Sequence, residues 1–317
     1  MSVTKNHQSP EAIRALCNAA FPSRTVSAIT ELTEGLFNIA YRVDFADGGA
    51  SVLKIAAADA SGFLSNEINL MQAEVTAMQL ARHHGLPHVA QVQFTDFSHT
   101  LCSGNYFFME HFPGRSLNAC RNELPESVQK HIHHQVGAFQ RQMTAIRGTA
   151  FGLLGDDRRF PTLHEMVQYM FSNVLHDAQA KNIDLGLSAE KLLGQLSEDH
   201  AVFDEVKTVS LVHWDMWEGN IFVQDGELCG IIDWERAMWG EPLMDDRFRR
   251  HTCPTAFLEG FGVQRFTPAE TRRLAWYDLF LYLTMFTESF YRQYENIDRL
   301  LAWLRPLIAQ AWADVQH

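Results

Sequence analysis

An Asp-Gly pair at Asp225 and Gly226 lies between two short apolar segments, and it constrains the fold more than any other feature of the sequence. Asp-Gly in this setting predicts a β-hairpin with a two-residue turn, because both central turn positions require positive φ. Extending the strand register outward from that turn places Asn220 opposite Ile231, and therefore beside Asp233. The hairpin thus brings an amide and a carboxylate together at one end of a β-ribbon.

The loop that leads into this hairpin contains a further carboxylate, Asp215, five residues before Asn220. Phosphoryl transfer requires hard oxygen ligands that hold Mg²⁺ against nucleotide phosphates, and a carboxylate that accepts the proton of the attacking hydroxyl. We therefore assign Asn220 and Asp233 as Mg²⁺ ligands and Asp215 as the catalytic carboxylate. His213 is interpreted as a packed side chain that orients the loop. The alternative is a hairpin with polar end residues, and the placement of Asp233 weighs against it.

Three motifs in this stretch resemble the aminoglycoside phosphotransferase and choline kinase family of protein-kinase-like enzymes: His-x-Asp-x₄-Asn from His213, Ile-Asp-Trp-Glu from Ile232 and Gly-Glu-Pro from Gly240. The resemblance implies the same roles for the base and the two metal ligands, and it identifies Asp245 as a carboxylate that braces the catalytic loop. It also implies an α+β, protein-kinase-like fold with two lobes. The small N-terminal lobe would contain an antiparallel sheet, and the C-terminal lobe would be mainly helical.

Strand patterns dominate the chain as far as residue 109, and helical patterns dominate most of the chain after it. Pro113 and Gly114 interrupt the chain between the two parts. We therefore predict an N-terminal nucleotide-binding lobe, 1–110, and a helical C-terminal lobe, 111–317, that carries the catalytic hairpin and the substrate site. The predicted N-terminal elements are helices over 10–20 and 65–84, a hairpin around Asp47 and Gly48, and strands over 89–97 and 106–109. The predicted C-terminal helices cover 127–146, 163–181, 188–206, 268–294 and 296–315.

Lys54 lies inside an apolar strand, where a lysine either extends to water or holds an anion. Lys54 lies upstream of the Asp215 loop, as does the strand lysine that contacts nucleotide phosphates in kinases, and this position favours the anion-binding role. That lysine needs a carboxylate on the next helix, for which Ser65 is a candidate N-cap. Glu67 and Glu74 are seven residues apart and project from nearly the same helix face, so helical phase does not choose between them. The distance to the closing Gly-Leu-Pro favours Glu74 by resemblance to the family.

The nucleotide is expected to be ATP or GTP, bound together with Mg²⁺. Gly35 precedes the first strand of the N-terminal hairpin, where a loop that covers the phosphates would lie, although a complete G-x-G-x-x-G is absent. Glu110 and His111 lie at the predicted junction between the lobes, and the resemblance implies that backbone groups there contact the purine.

Composition excludes several partners. The formal net charge of −12 argues against nucleic acid, whose phosphates require a basic surface, and it is compatible with a cationic substrate. The first residues lack the apolar segment of a signal peptide, and no apolar segment is long enough to span a bilayer. Five scattered cysteines indicate reduced thiols. We expect a cytoplasmic protein, a monomer or homodimer, without a membrane or nucleic-acid partner.

The predicted reaction is transfer of the γ-phosphoryl group of a nucleotide to a hydroxyl of a small molecule, with an aminoglycoside-type antibiotic as the first candidate. Alternatives are a ketosamine, an amino sugar, choline or homoserine, because Asp-x-Trp-x-Gly-Asn from Asp215 also resembles the fructosamine kinase loop. A non-catalytic protein that keeps the kinase shape is the remaining alternative. The candidate substrate residues are four carboxylates and one aromatic side chain: Glu235, Glu241, Asp278, Glu288 and Trp239.

Overall fold

An antiparallel five-stranded sheet forms the N-terminal part of the chain in the computed structural model, which describes residues 5–33, 38–58, 62–294 and 297–317. The strands are β1 (Val26–Leu32), β2 (Ile39–Phe45), β3 (Ala50–Ile55), β4 (Val92–Asp96) and β5 (Tyr106–Glu110). They lie in the order β1-β2-β3-β5-β4. Helix α1 (Pro10–Ala20) precedes the sheet, and helix α2 (Leu70–His83) connects β3 to β4.

Helices dominate the chain after β5, and short strands between these helices form two small three-stranded sheets. This arrangement confirms the α+β prediction, whereas the boundary between residues 110 and 111 stays a prediction. The elements are β6 (Arg115–Ser116), α3 (Leu117–Cys120), α4 (Glu126–Met143), β7 (Gly152–Leu153), α5 (Leu163–Ala180), α6 (Ala189–Glu198), α7 (His200–Asp204), β8 (Ser210–Val212), β9 (Ile221–Gln224), β10 (Glu227–Ile231), β11 (Met238–Gly240), α8 (Thr255–Phe261), α9 (Pro268–Tyr291) and α10 (Ile297–Gln316).

Alternate side chains of β2 are buried, as expected for a strand with one side facing a core. They pack with Ile13 and Leu16 of α1. This helix has the predicted bounds, because Ser9 caps it through a side-chain hydrogen bond and Pro10 occupies its first turn. The predicted turn between β2 and β3 is also present, with Gly48 at a φ of 88°.

The predicted start of α2 at residue 65 is wrong, since the helix begins at Leu70. Ser65 does not cap it. The Ser65 backbone N–H and hydroxyl both donate to the Asp177 carboxylate of α5, at 2.8 and 2.5 Å, and the Asn66 amide donates to the carbonyl of Met170. These tertiary hydrogen bonds hold the segment before α2 in an irregular conformation that helical periodicity could not reveal.

The predicted helix over 188–206 is divided into α6 and α7. Asp199 lies at the break, and its carboxylate accepts hydrogen bonds from Arg272 and from the Trp276 indole of α9, at 2.6 and 2.7 Å. The four other predicted C-terminal helices, α4, α5, α9 and α10, lie within a few residues of their predicted bounds, whereas α3 and α8 have no predicted counterpart. Among the described residues, no helix combines the length and the apolar character needed to cross a membrane.

The predicted hairpin is formed by β9 and β10, and Asp225 and Gly226 have φ values of 52° and 83°. The predicted register is correct next to the turn and wrong beyond it. A bulge between Leu228 and Gly230 shifts the ladder by one residue, so Asn220 lies opposite Ile232 instead of Ile231. The Ile232 N–H accordingly donates to the Asn220 carbonyl at 3.0 Å. The bulge places Asp233 directly beyond the residue that faces Asn220.

Helices α4 and α8 cross at two glycines, Gly137 and Gly260. A Cβ atom on Gly137 would lie 2.1 Å from the carbonyl oxygen of Phe257, and one on Gly260 would lie 2.0 Å from that of His134. The two helices therefore approach through their backbones, at a distance that only glycine permits.

Gly137→Ala is expected to lower the free energy of unfolding by about 1–3 kcal/mol, because the new methyl group must displace the α8 backbone. Gly194→Ala in α6 is the matched control, since a Cβ there meets nothing within 4 Å. That control should raise the free energy of unfolding by about 0.5–1 kcal/mol, because alanine favours helix more than glycine does. Urea denaturation followed by circular dichroism measures both, and equal effects at the two positions would contradict the close crossing.

Candidate active site

Lys54 of β3 is the centre of a buried charge cluster. Its ammonium nitrogen lies 2.6 Å from a Glu74 oxygen, 2.5 Å from an Asp233 oxygen and 3.2 Å from a Glu235 oxygen. The Asn38 side-chain amide donates to the same Glu235 oxygen at 2.5 Å. One cation therefore meets three carboxylates, which come from α2 and from the segment after β10.

The Glu74 side chain is fully buried and pairs with Lys54, whereas Glu67 lies in the irregular segment before α2 and pairs elsewhere. Burial raises the pKa of the Glu74 carboxyl, and the Lys54 ammonium opposes that shift only in part. Its second oxygen has no hydrogen-bond partner among the described residues. The cluster is therefore short of positive charge.

Asp233 is the most open of the three carboxylates, with its side chain 34% exposed. Its backbone has a φ of 67°, in the left-handed region, where the chain leaves β10 and turns toward Lys54. Burial alone would raise the pKa of Asp233, and the nearby Lys54 ammonium more than offsets this and lowers it. Ligand oxygens of Glu74, Asp233 and Glu235 lie within 4.8 Å of one another, a grouping that could hold a cation.

Asp215 and Asn220 contact each other in the loop between β8 and β9. The Asn220 amide N–H donates to the Asp215 carbonyl at 2.8 Å and to an Asp215 carboxylate oxygen at 3.3 Å. Burial raises the pKa of Asp215 well above its ordinary value, and the positive charge of Arg236 is the main opposing influence. Asp233 acts in the same direction as burial. Asp215 therefore contacts Asn220 directly and is influenced by the charge of Asp233.

Two buried side chains brace this loop. His213 is fully buried, its Nε2–H donates to the Ile232 carbonyl at 3.0 Å, and its ring centroid lies 4.6 Å from that of Trp234. Burial lowers the pKa of His213 to about 4, so the ring is neutral near pH 7. Asp245 accepts a hydrogen bond from the Trp214 backbone N–H at 3.0 Å. These contacts agree with packing for His213 and with bracing for Asp245.

Two of the predicted substrate carboxylates are engaged inside the protein. Glu241 accepts hydrogen bonds from the Arg273 guanidinium and from the Tyr277 hydroxyl, at 2.7 and 2.6 Å. Asp278 is buried with its carboxylate 3.5 Å from Arg249. Each of these carboxylates thus has the internal partner that a buried charge requires, and its contact with a substrate stays a prediction.

Glu288 belongs to a second buried cluster. Its carboxylate lies 2.6 Å from Arg236 and 2.8 Å from Arg292, and both guanidinium groups also contact Glu67, at 2.7 and 2.5 Å. The Tyr294 hydroxyl donates to Glu288 as well. Two carboxylates and two guanidinium groups are thus balanced, so Glu288 is also not a free acceptor for a cation.

Two further predicted positions make contacts that do not depend on a substrate. Glu235 lies in the Lys54 cluster, and Trp239 of β11 is half-buried against Gly148, where an added Cβ would lie 2.7 Å from its ring. Asn38 and Arg236 were not predicted. In the sequence, Asn38 is a polar residue directly before a strand of alternating pattern, and Arg236 is a charged residue directly after Glu235. Neither feature shows which distant side chain the residue contacts.

Three predicted nucleotide-binding positions stay predictions. Gly35 lies outside the described residues. Glu110 is the exposed last residue of β5, and its N–H donates to the Gln91 carbonyl at 2.9 Å. His111 is half-buried, and burial lowers its pKa.

A sequence model described as the phosphotransferase enzyme family matches residues 28–245, more than half of the chain. A comparison with curated proteins finds no match. Among solved structures, a thermostable mutant of the aminoglycoside phosphotransferase APH(4)-Ia, in a ternary complex with ADP and hygromycin B, is 19% identical with a TM-score of 0.68. The similarity covers 96% of this chain and 98% of that one.

Two other solved structures extend the likeness. A candidate fructosamine-3-kinase from Thermobifida fusca is 17% identical with a TM-score of 0.64, covering 96% of this chain and 100% of that one. The GDP complex of an aminoglycoside 2′-phosphotransferase-IIIa mutant is 16% identical with a TM-score of 0.65, with the same coverage. At these identities the likeness concerns the fold, and it confirms the predicted kinase-like architecture.

Lys54→Met is expected to lower the free energy of unfolding by about 3–5 kcal/mol near neutral pH, because it leaves three carboxylates without their cation. Without the ammonium the native carboxyl pKa values rise above their unfolded values, so protonation at lower pH stabilises the variant and the deficit shrinks. Urea titrations near neutral pH and about two pH units lower measure this. Lys130→Met in α4 is the control, since that exposed lysine contacts only Glu126 in an ion pair among the described residues and should cause little change.

A deficit for Lys54→Met that is the same at both pH values would contradict the electrostatic explanation. It would indicate that the side chain stabilises the fold through its packing alone.

Proposed function

The chain belongs to the phosphotransferase enzyme family, and on that basis we propose that it transfers the γ-phosphoryl group of ATP or GTP to a hydroxyl of a small molecule. The observation that supports this most directly is the contact of Lys54 with Asp233, beside the loop in which Asn220 contacts Asp215. An ammonium for phosphate oxygens, oxygen ligands for a cation and a carboxylate for a proton are the groups that phosphoryl transfer requires.

The donor set fits Mg²⁺, which prefers oxygen ligands and is commonly held by one or two carboxylates together with phosphates. Asp233 offers a carboxylate that is partly open to solvent. Asn220 contacts Asp215 through its amide N–H, so its amide oxygen is the atom suited to a cation. Bound by Asn220 and Asp233, Mg²⁺ would neutralise negative charge on the nucleotide phosphates.

Lys54 contributes a positive charge to the phosphate oxygens, and Glu74 keeps its ammonium group in place. Asp215 orients the acceptor hydroxyl and takes its proton. As that proton leaves, the acceptor oxygen bonds to the γ-phosphorus, and the bond from this phosphorus to the β–γ bridging oxygen breaks. A raised pKa suits Asp215 to this role, because a general base works best when its pKa approaches the working pH.

Gly35 is proposed to lie in the loop over the phosphates, and the backbone at Glu110 and His111 is proposed to contact the purine. Both assignments rest on the resemblance in sequence.

The acceptor is the finer part of the proposal. We propose an aminoglycoside-type antibiotic as the first candidate, although Glu241, Asp278 and Glu288, three of the carboxylates expected to meet a polycation, are paired with arginines. These three carboxylates therefore do not support a polycation in particular, and a ketosamine, an amino sugar, choline or homoserine remains the alternative to an aminoglycoside. Release of ADP measured against a panel of these molecules separates them.

A non-catalytic nucleotide-binding protein is the alternative function. Such proteins commonly lack the base, a metal ligand or the strand lysine, and all of these positions are filled here by Asp215, Asn220, Asp233 and Lys54. A protein that binds MgATP without releasing ADP in the presence of any acceptor would support this alternative.

Asp215→Asn is expected to lower kcat by about 10²–10⁴, because base catalysis is lost while the shape of the side chain is kept. Nucleotide binding should be retained. Asp225→Asn is the matched control, because it makes the same change in the nearby hairpin turn, where asparagine also adopts positive φ. A coupled assay of ADP release measures both variants, and normal turnover by Asp215→Asn would exclude its role as base.

Asp233→Asn is expected to weaken the binding of MgATP at least about tenfold, because one ligand of the proposed Mg²⁺ site loses its charge. Binding of ATP in the presence of a chelator should change much less. Titration calorimetry with and without Mg²⁺ compares the two conditions. Equal affinity of the variant and the unmodified protein for MgATP would rule out Asp233 as a ligand.

A further inference from the structure

Glu218 lies in the catalytic loop, between the proposed base Asp215 and the proposed metal ligand Asn220. Two groups outside the loop hold this residue. Its backbone carbonyl accepts a hydrogen bond from the Asn118 N–H at 3.0 Å, and its carboxylate Oε2 accepts one from the Arg121 guanidinium at 2.7 Å. Asn118 lies in α3, and Arg121 directly follows that helix. The loop is therefore attached to a neighbouring element at a point between the two groups proposed for the chemistry.

The other carboxylate oxygen of Glu218 lies near a histidine of α4. The distance from His133 Nε2 to Glu218 Oε1 is 3.9 Å, which is longer than a hydrogen bond and corresponds to an electrostatic contact. His133 is buried, and the Glu218 side chain is only 21% exposed. Charges in such surroundings are screened less than in water, so the proton distribution on the ring affects Glu218.

Arg247 decides which nitrogen of His133 carries the proton. Its guanidinium N–H donates to His133 Nδ1 at 3.0 Å. Arginine stays protonated in proteins and can only donate, so Nδ1 is the acceptor and carries no proton. Burial lowers the pKa of His133 to about 4, the positive charge of Arg247 acts in the same direction, and the ring is neutral near pH 7. The single ring proton is therefore on Nε2, the nitrogen nearest Glu218.

Arg247 is a buried cation that depends on its neighbours. The residue is 1% exposed, and its Nε has no hydrogen-bond partner among the described residues. Burial lowers the pKa of Arg247, and the negative charges of Asp246 and Glu218 oppose that effect. Arg247 and Glu218 thus attract each other, and the His133 ring contacts both of them.

The segment that follows β11 therefore reaches the catalytic loop twice. Asp245 accepts a hydrogen bond from the Trp214 N–H, directly before the proposed base. Arg247 reaches the loop again through His133, at Glu218. These two contacts lie on either side of Asp215 in the chain.

We propose that Glu218 is a positioning residue that keeps Asn220 in place for Mg²⁺, and that Arg247 acts on Glu218 through His133, whose Nε2–H tautomer it fixes. The inference rests on the proposed phosphotransferase function, of which Mg²⁺ binding by Asn220 is a part. Glu218 acts through Asn220 and is not proposed to touch the ion or the nucleotide.

The tautomer is tested in the nucleotide-free protein. Nitrogen-15 NMR of the histidine rings near neutral pH distinguishes the two neutral forms, and the ring signals that vanish in His133→Asn identify His133. We expect the proton on Nε2. A ring with its proton on Nδ1, or with protons on both nitrogens, would overturn the inference, because neither form can accept the hydrogen bond from Arg247.

Hydrogen exchange tests the position of the loop without any ligand. Glu218→Gln keeps the shape of the side chain and removes its charge. It should speed exchange of the Asn220 N–H, which donates to the Trp217 carbonyl, about three- to tenfold. Glu123→Gln is the matched control, because Glu123 forms an ion pair of the same 2.7 Å length with Arg115 outside the loop. Unchanged exchange in Glu218→Gln, or an equal change in the control, would contradict the positioning role.

Titration calorimetry with ATP tests the consequence for the metal. Glu218→Gln should raise the Kd for MgATP about three- to tenfold, and the Kd for ATP with a chelator less than about twofold, because the effect passes through a metal ligand. His133→Asn keeps an acceptor oxygen for Arg247 but has no atom at the position of Nε2, so it should act in the same direction. His134→Asn, at the exposed neighbouring position, is its control.

The double variant of Glu218→Gln and His133→Asn tests whether the two side chains act together. Its Kd for MgATP should equal that of the weaker-binding single variant, because both changes interrupt one connection. Effects that multiply independently would exclude the route through His133.

The outcomes separate this inference from the function on which it rests. If the unmodified protein does not bind MgATP, the proposed function fails, and the tautomer and the hydrogen exchange still decide whether Arg247, His133 and Glu218 hold the loop. If MgATP binds equally well to Glu218→Gln and to the unmodified protein, the inference is overturned and the phosphotransferase proposal stays in place.

Discussion

The arrangement of the site depends on one ammonium group. Lys54 contacts carboxylates from α2 and from the segment after β10, so a single side chain connects the sheet, the helix and the end of the hairpin. Removing these charges from water costs several kcal/mol for each ion, which only mutual contact can offset. One ammonium cannot fully compensate the cost of burying three carboxylates. Burial accordingly raises the pKa of Glu74 and of Glu235. A cluster that lacks positive charge is well suited to a divalent cation.

The second buried cluster contains equal numbers of positive and negative charges. Glu67 and Glu288 face Arg236 and Arg292, so the charges cancel within the protein. It joins the segment before α2 to the segment after β10 and to α9. We interpret the balanced cluster as a support for the site and the unbalanced cluster as the reactive part of it. Both depend on the chain between residues 233 and 236, which supplies charges to each.

The acidic composition does not by itself identify the substrate. A net charge of −12 is compatible with a cationic ligand, but Glu67, Glu241 and Asp233 are paired with arginine or lysine inside the protein. Net charge describes the whole surface, whereas recognition depends on charges that have no internal partner.

The sequence by itself determined the α+β fold class, the hairpin at Asp225 and Gly226, and the spacing that places Asp215 and Asn220 before this hairpin and Asp233 after it. These features depend on turn chemistry and on spacings of a few residues, where the backbone leaves little choice.

Tertiary structure alone decided where α2 begins and how the hairpin register shifts at its bulge, and it supplies the physical reason why Glu74, which the resemblance favours, pairs with Lys54. Glu67 and Glu74 are equivalent in helical phase, but hydrogen bonds to Asp177 on α5 keep the chain around Glu67 out of the helix. Partners separated by more than a hundred residues compete with local preference, and their energies depend on distances that sequence spacing does not specify.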